Sequence, residues 1–224
     1  MAKKPEHSGH THETQHRPDI RLDLFLRPEH IPRLLGFFRE GIGLPVRVGC
    51  TVRSLFCEQL GLSPRYMDQR VQTIFLDGKP VDDVDTAVVR EGMTLALSAA
   101  MPGLAGATLR KGGFFADLRR QITHQEKEID ICPSGTPGEI RLKLFNFLAA
   151  EWGPELLRRG ILIQGERWGD FLQRQPADFR AACTRTLVNG EERGPEILEN
   201  LIWNEKWILL RAYPEKGSMP AEKI

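Results

Sequence analysis

The chain has 224 residues, of which 41% are hydrophobic and 27% are charged, so it can bury a core as one large domain or as two small ones. Its 31 basic and 30 acidic side chains leave a formal charge of +1. Without a strong positive field we expect no nucleic-acid partner, and without a run of ~20 apolar residues we expect no membrane partner.

Residues 1–18 form a polar leader that lacks the continuous apolar core of a secretory signal. We expect the leader to be disordered and the protein to be cytoplasmic. His10, His12 and His16 are weak candidates for a metal site, because an unfolded segment binds an ion with little geometric selectivity. No cofactor is predicted.

Residues 19–103 are predicted to form a first domain. Ile20 to Phe25 alternates apolar and polar side chains, which is the period of a strand with one buried face. Asp77-Gly78 is a dipeptide typical of tight hairpin turns. The other predicted elements are a helix over 31–38, an apolar run at 46–48, a helix over 51–60, a loop over 61–70, and strands at 73–76 and 94–99.

Residues 104–138 are predicted to be a linker. Phe114, Phe115, Leu118 and Ile122 lie at helical spacing, so an amphipathic helix that packs on one or both neighbouring domains is expected here. A free helix that binds a partner is the alternative. Proline and glycine residues at 133–138 then mark a domain boundary.

Residues 139–217 repeat the pattern of the first domain and are followed by a tail, 218–224. Ile140 to Phe145 matches Ile20 to Phe25 at every position except the fourth. The order of elements then recurs, with helices over 147–157 and 167–179, a strand at 161–163, a strand that ends at Asn189-Gly190, and a last strand at 207–212. A single larger α/β domain with chance similarities is the alternative to a duplication.

The spacing near the end of each copy is also shared. Gly78 to Pro102 spans 24 positions, as does Gly190 to Pro214. The copies differ upstream, where the first is longer, and we assign the surplus to the predicted loop over 61–70.

Each copy resembles the β-grasp fold of the small subunit of molybdopterin synthase and of the thiamine-pathway sulfur carrier. The resemblance depends on the first strands, on the glycine turns at Gly78 and Gly190, and on the last strands that lead to Pro102 and Pro214. It implies an α+β fold of two tandem ubiquitin-like β-grasp domains, each a mixed sheet packed on a helix.

In that family the chain ends in a flexible diglycine whose carboxylate is adenylated and converted to a thiocarboxylate. Glycine is needed because a tail without side chains can enter a partner enzyme's site. The second copy ends without a diglycine, which departs from the family pattern. Gly112-Gly113 follows the first copy, but the chain continues past it, so a carboxylate would require proteolysis.

No catalytic residue is predicted, because the carboxylates at 82–85 and 191–192 lie beside predicted turns and are expected to be solvated. For Trp203 and Trp207 two interpretations stay open: core packing, and the hypothesis that they expose indole at a sheet edge, where large aromatic side chains anchor partners. The segment from Met101 to Gly113 is the other predicted partner surface, since it occupies the position of the family's functional tail. The predicted partner-binding residues are Met101, Pro102, Gly103, Leu104, Gly112, Gly113, Trp203 and Trp207.

These observations favour a non-catalytic protein-binding or scaffolding module whose partner is a protein. One alternative is a sulfur carrier matured by cleavage after Gly113. The other alternative is a metal-handling protein or an enzyme with a site between the two copies, because clefts between domains collect residues distant in sequence.

Overall fold

A computed structural model of the chain describes residues 17–99, 103–115, 119, 121–126, 135–194, 196–200 and 203–215. The strands are β1 (Ile20–Leu26), β2 (Ile42–Val48), β3 (Cys50–Thr51), β4 (Thr73–Leu76), β5 (Lys79–Pro80), β6 (Val88–Val89), β7 (Thr94–Ser98), β8 (Thr136–Phe145), β9 (Ile161–Gln164), β10 (Cys183–Val188), β11 (Glu191–Arg193) and β12 (Trp207–Pro214). The helices are α1 (Ile31–Leu34), α2 (Gly36–Glu40), α3 (Val52–Ser54), α4 (Pro64–Gln69), α5 (Gly103–Leu109), α6 (Phe147–Arg159), α7 (Gly165–Arg174), α8 (Ala177–Ala181) and α9 (Ile197–Asn200), with a 3-10 turn at Pro28–His30 and a π-helical turn at Leu55–Gln59.

The predicted α+β class is confirmed, because a large mixed sheet packs against several helices. Ten strands form that sheet in the order β11-β10-β1-β12-β9-β2-β8-β7-β4-β5, and β3 pairs with β6 in a separate ribbon. The predicted hairpin turns are also present, with positive φ at Asp77, Gly78, Asn189 and Gly190. No helix within the described ranges is long and apolar enough to cross a membrane.

The sheet has two halves. The first half consists mainly of strands from residues 19–103 and the second mainly of strands from residues 139–217, but β8 lies in the first half and β1 in the second. In the first half, β2, β8, β7, β4 and β5 are neighbours, so β8 of the second segment lies among strands of the first. In the second half, β9, β12, β1, β10 and β11 are neighbours. The halves meet where β2 and β9 pair through Gly43 and Leu162.

The first strands β1 and β8 are equivalent in their inward-facing side chains. Ile20, Leu22 and Leu24 of β1 are buried, and Ile140, Leu142 and Leu144 are the equivalent buried residues of β8. Each first strand pairs in parallel with a last strand, β1 with β12 and β8 with β7. Because the two strands present the same apolar surface, either one fills such a position with the same packing.

One sheet runs continuously through strands of both segments, whereas the sequence pattern predicts two self-contained domains over 19–103 and 139–217. Helices of both segments join one core: Phe37 of α2 packs 5.1 Å from Phe171 of α7, and Phe56 packs 5.3 Å from Trp152 of α6. The buried apolar residues of both segments form one cluster. A short-range sequence pattern cannot reveal such interleaving, because the pattern specifies a strand and not its neighbour.

Two predicted segments have a different local structure. Residues 64–69 of the expected loop form α4, because Ser63 caps the helix by accepting a hydrogen bond from the Tyr66 amide and Pro64 occupies the first turn. In the predicted linker, α5 forms at Gly103–Leu109, whereas the described residues around Phe114 and Ile122 lie in turns. Phe114 is 92% exposed, so it does not provide the apolar face of a packed helix.

Candidate functional site

The outward face of the sheet is a surface that the fold leaves open. Alternate residues of β1, β8 and β12 are buried, and the residues between them are half-exposed or exposed. The inward set packs against the helices as a single core. The outward set is therefore available to a ligand or a partner.

An aromatic stack lies on this outward face across three adjacent strands. Phe25 of β1 is in register with Arg185 of β10 and with Tyr213 of β12. The rings of Phe25 and Tyr213 are stacked with their centroids 5.0 Å apart, and the Arg185 guanidinium lies 3.9 Å from the Phe25 centroid. Such a stack combines apolar area with an accessible cation, as many interface anchors do.

Charged side chains of both signs lie on the strands around the stack. On the outward positions of β10, β1 and β12 the acidic residue is Asp23, and on the neighbouring strand β11 Glu192 lies opposite Leu187. Asp23 lies opposite Arg211, with an ion-pair distance of 3.8 Å. The basic residues at the outward positions of β10, β1 and β12 are Arg21, Arg185 and Arg211, whereas Arg141 and Lys143 lie on β8, three strands beyond β12. The strands around the stack therefore carry only a small excess of positive charge.

A cavity of about 330 Å³, which we call the junction cavity, lies where the two halves of the sheet meet. It arises because β9 has four residues, whereas β2 and β12 have seven and eight. Beyond the first residue of β9, the two longer strands continue without a strand between them. The lining residues are Leu44, Pro45, Val46, Gln59, Leu60, Arg159, Gly160, Leu209 and Arg211, which come from both segments.

A smaller cavity of about 70 Å³ lies at the other end of β9. Arg167 of α7, one of its lining residues, donates hydrogen bonds to the carbonyl oxygens of Gly41 and Phe37 and to the Glu40 carboxylate. Burial lowers the pKa of the Arg167 guanidinium, and Glu40 partly offsets that effect. These contacts tie α7 to the end of α2, so we interpret Arg167 as a structural residue.

The predicted partner surface from Met101 to Gly113 lies partly outside the described residues, because Met101 and Pro102 are not described. Gly103 begins α5, and Leu104 is 76% exposed. Gly112 and Gly113 lie in a turn, where the Gly112 amide donates to Asp82 and the Gly113 amide donates to the Arg110 carbonyl.

Buried Arg119 anchors this turn to the first half of the sheet. Its guanidinium donates to both oxygens of Asp82, at 2.6 and 3.0 Å, and to the carbonyl oxygens of Thr108 and Arg110. Arg119 is 3% exposed. The glycine pair is thus held against the fold, in contrast to the free carrier tail that the resemblance implies.

The two tryptophans predicted at a sheet edge lie elsewhere. Trp203 is 5% exposed, packs edge-on against Trp168, and donates a hydrogen bond from its indole nitrogen to the Leu198 carbonyl. The expected exposed indole is therefore wrong for Trp203, because core packing of α7 and α9 encloses it. Trp207 is half-buried on β12, which lies inside the sheet between β9 and β1.

The free thiols within the described ranges are poor nucleophiles. Burial raises the pKa of Cys183 to about 11 and also raises the pKa values of Cys50 and Cys57. A protonated thiol neither attacks an electrophile nor binds a metal readily. Among the described residues no group of three or more His, Cys, Asp or Glu side chains could hold a metal, and His10, His12 and His16 lie outside that part of the chain.

The sequence reasoning missed Phe25, Tyr213 and Arg185 as a group. The alternation of β1 places Phe25 on the outward face, so one of the three was accessible to prediction. The stack depends on the register between strands that are distant in sequence, which no local pattern specifies. The arginines of the junction cavity, Arg159 and Arg211, were missed for the same reason.

Comparisons with known proteins found no match to a family model, to a curated protein or to a solved structure.

Proposed function

We propose that this chain is a protein-binding module, and that its partner docks on the outward face of the sheet around Phe25, Tyr213 and Arg185. The stacked rings and the adjacent guanidinium carry the proposal. Aromatic and arginine side chains are enriched among residues that dominate binding energy. The Arg185 guanidinium beside Phe25 favours a partner that presents a carboxylate at this point of the face.

The proposal includes descent from a duplicated sulfur-carrier-like β-grasp fold. Three observations support it: the shared inward residues of β1 and β8, the equivalent parallel pairings with β12 and β7, and the matching hairpin turns. In this view the duplicated units became intertwined by exchanging their first strands, a rearrangement related to domain swapping. A cytoplasmic location belongs to the same proposal, since Cys50, Cys57 and Cys183 are free thiols.

Site-specific photocrosslinking in the native cell tests the docking face. A photoreactive phenylalanine analogue at position 213 is compared with one at Phe147, which is 69% exposed at the start of α6. We expect a discrete protein adduct from position 213 and none of that mass from position 147. Equal yields of the same adduct from both positions would contradict the proposal.

A charge reversal sharpens the same experiment. Arg185→Glu is expected to reduce the position-213 adduct by about tenfold or more, because it removes the cation over Phe25 and opposes an acidic partner. Arg174→Glu on α7 is the matched control, since Arg174 is also an exposed arginine but lies on a helix. Identical adduct yields in the two variants would contradict the proposed docking surface.

The intact mass of the native chain separates this proposal from a sulfur carrier. A full-length, unmodified mass is expected for a binding module. A fragment that ends at Gly113, or a mass gain from sulfur replacing oxygen, would support the carrier instead.

A further inference from the structure

The junction cavity has a chemical character that partner docking does not explain. Its walls are mainly aliphatic, with Leu44, Val46, Leu60 and Leu209 among the lining residues. Two guanidinium groups, those of Arg159 and Arg211, also line it. An apolar chamber with a few polar groups is the usual composition of a small-molecule site, and about 330 Å³ is the lower end of the usual size.

The two arginines retain capacity to bind an anion. Arg211 pairs with Asp23 at 3.8 Å, close to the limit for an ion pair, and 38% of its side chain is exposed. Arg159 donates at 3.2 Å to Glu155 and at 3.1 Å to the Gln59 carbonyl, and 40% of its side chain is exposed. A guanidinium has five N–H donors, so these bonds leave donors for a carboxylate.

Gly160 helps to keep the cavity open. It separates α6 from β9 with a φ of +109 degrees, a region in which residues with a Cβ are strained. A Cβ at this position would lie 3.0 Å from Leu209 Cδ1 and 3.3 Å from Arg211 Nε. Glycine therefore provides both the backbone turn and the space beside Arg211.

We propose that the junction cavity binds a small carboxylate with an apolar chain. The carboxylate is held between Arg159 and Arg211, and the chain contacts the aliphatic wall between β2 and β12. Because the lining comes from both segments, a bound ligand also bridges the two halves of the sheet.

Titration with hexanoate tests the site, with hexan-1-ol as the neutral probe of similar size. Calorimetry and amide chemical shifts of the full chain are expected to show saturable hexanoate binding with a Kd of about 1 mM and shifts at Gly160 and Leu209. Hexan-1-ol is expected to bind about tenfold more weakly, because it lacks the charge that the guanidinium groups recognise. Equal affinity for the two probes, or no saturable binding of hexanoate, would overturn the proposal.

Paired variants separate recognition from misfolding. Arg159→Gln is expected to weaken hexanoate binding by about tenfold, whereas Arg158→Gln leaves it unchanged. The control is closely matched, since both arginines pair with Glu155 but only Arg159 lines the cavity. Equal effects of the two substitutions would refute a role for Arg159.

Asp23→Asn is expected to change the affinity for hexanoate in the opposite direction. It removes the carboxylate that competes for Arg211, so hexanoate is expected to bind several-fold more tightly, an outcome that damage to the fold would not produce. Unchanged or weaker binding in a variant with normal far-ultraviolet circular dichroism would contradict the assignment of Arg211.

Discussion

The two halves of the sheet share a first-strand pattern but are stabilised in different ways. In the second half, Trp168 contacts the rings of Phe37, Phe171 and Trp203. In the first half, buried Arg119 ties the connecting segment to Asp82. The inward residues of a strand therefore define a position in the sheet, whereas the contacts of Trp168 and of Arg119 distinguish one half from the other.

The outward residues of β1 and β8 provide one of the contacts that distinguish the two halves. β1 and β8 differ within their shared six residues only at Asp23 and Lys143. Asp23 lies opposite Arg211 of β12, whereas Lys143 lies opposite Ala96 of β7. Opposite charges in register stabilise a strand pair and like charges destabilise it, so this position favours the observed arrangement.

The largest expected effect comes from breaking the aromatic cluster of the second half. Trp168 is 0% exposed, and Trp168→Ala is expected to lower the free energy of unfolding by about 4 kcal/mol because it leaves a large cavity. Urea denaturation measures the change. Phe147→Ala is the control, with an expected change within about 0.5 kcal/mol because Phe147 is 69% exposed. Similar losses in both variants would show that the cluster is not the main support of this half.

The next effect concerns the anchor of the first half. Arg119→Met leaves the Asp82 carboxylate and two carbonyl oxygens without their donor, and should lower stability by roughly 2–3 kcal/mol, since Asp82 is partly solvated. Hydrogen exchange should accelerate over residues 72–82 and 103–113 and remain slow over 183–188. Arg110→Met, at an exposed side chain, should leave exchange unchanged. Uniform acceleration across both halves would contradict a local anchor.

The smallest effect tests the residue that distinguishes the first strands. Asp23→Lys places two cations opposite each other on β1 and β12 and should cost about 1 kcal/mol, less at high salt. Lys143→Asp, opposite Ala96, should change stability by less than about 0.5 kcal/mol. Urea denaturation at two salt concentrations checks both values. If Arg211→Glu failed to rescue Asp23→Lys, the loss would have another cause.

Much of the local structure was predictable from the sequence. The alternation of Ile20 to Phe25 became β1, and the Asp77-Gly78 and Asn189-Gly190 signals became hairpin turns. The helix α4 is also encoded in the sequence, since Ser63 and Pro64 form a helix start, although a proline among polar residues equally predicts a loop. The neighbours of β1 and β8 were not predictable, because their inward residues are the same.

The candidate site was less accessible than the fold. Phe25 could be placed on an outward face from its period, but its stacking on Tyr213 requires a pairing across most of the chain. The junction cavity follows from the short length of β9 between two longer strands, which becomes visible only once their order is known. For Trp203 the hypothesis of an exposed side chain is wrong, because its ring packs against Trp168 of α7. That contact depends on where α7 lies, which the sequence around Trp203 does not specify.

The interleaved strands have a consequence for synthesis on the ribosome. β1 ends at Leu26, but its parallel neighbour β12 begins at Trp207, so translation at about 5–20 residues per second delays their pairing by on the order of ten seconds or more. During that interval β2 and β7 are complete before β8, and β1 offers the same apolar surface as β8. The position that β1 occupies, between β10 and β12, therefore does not exist until nearly the whole chain has been made.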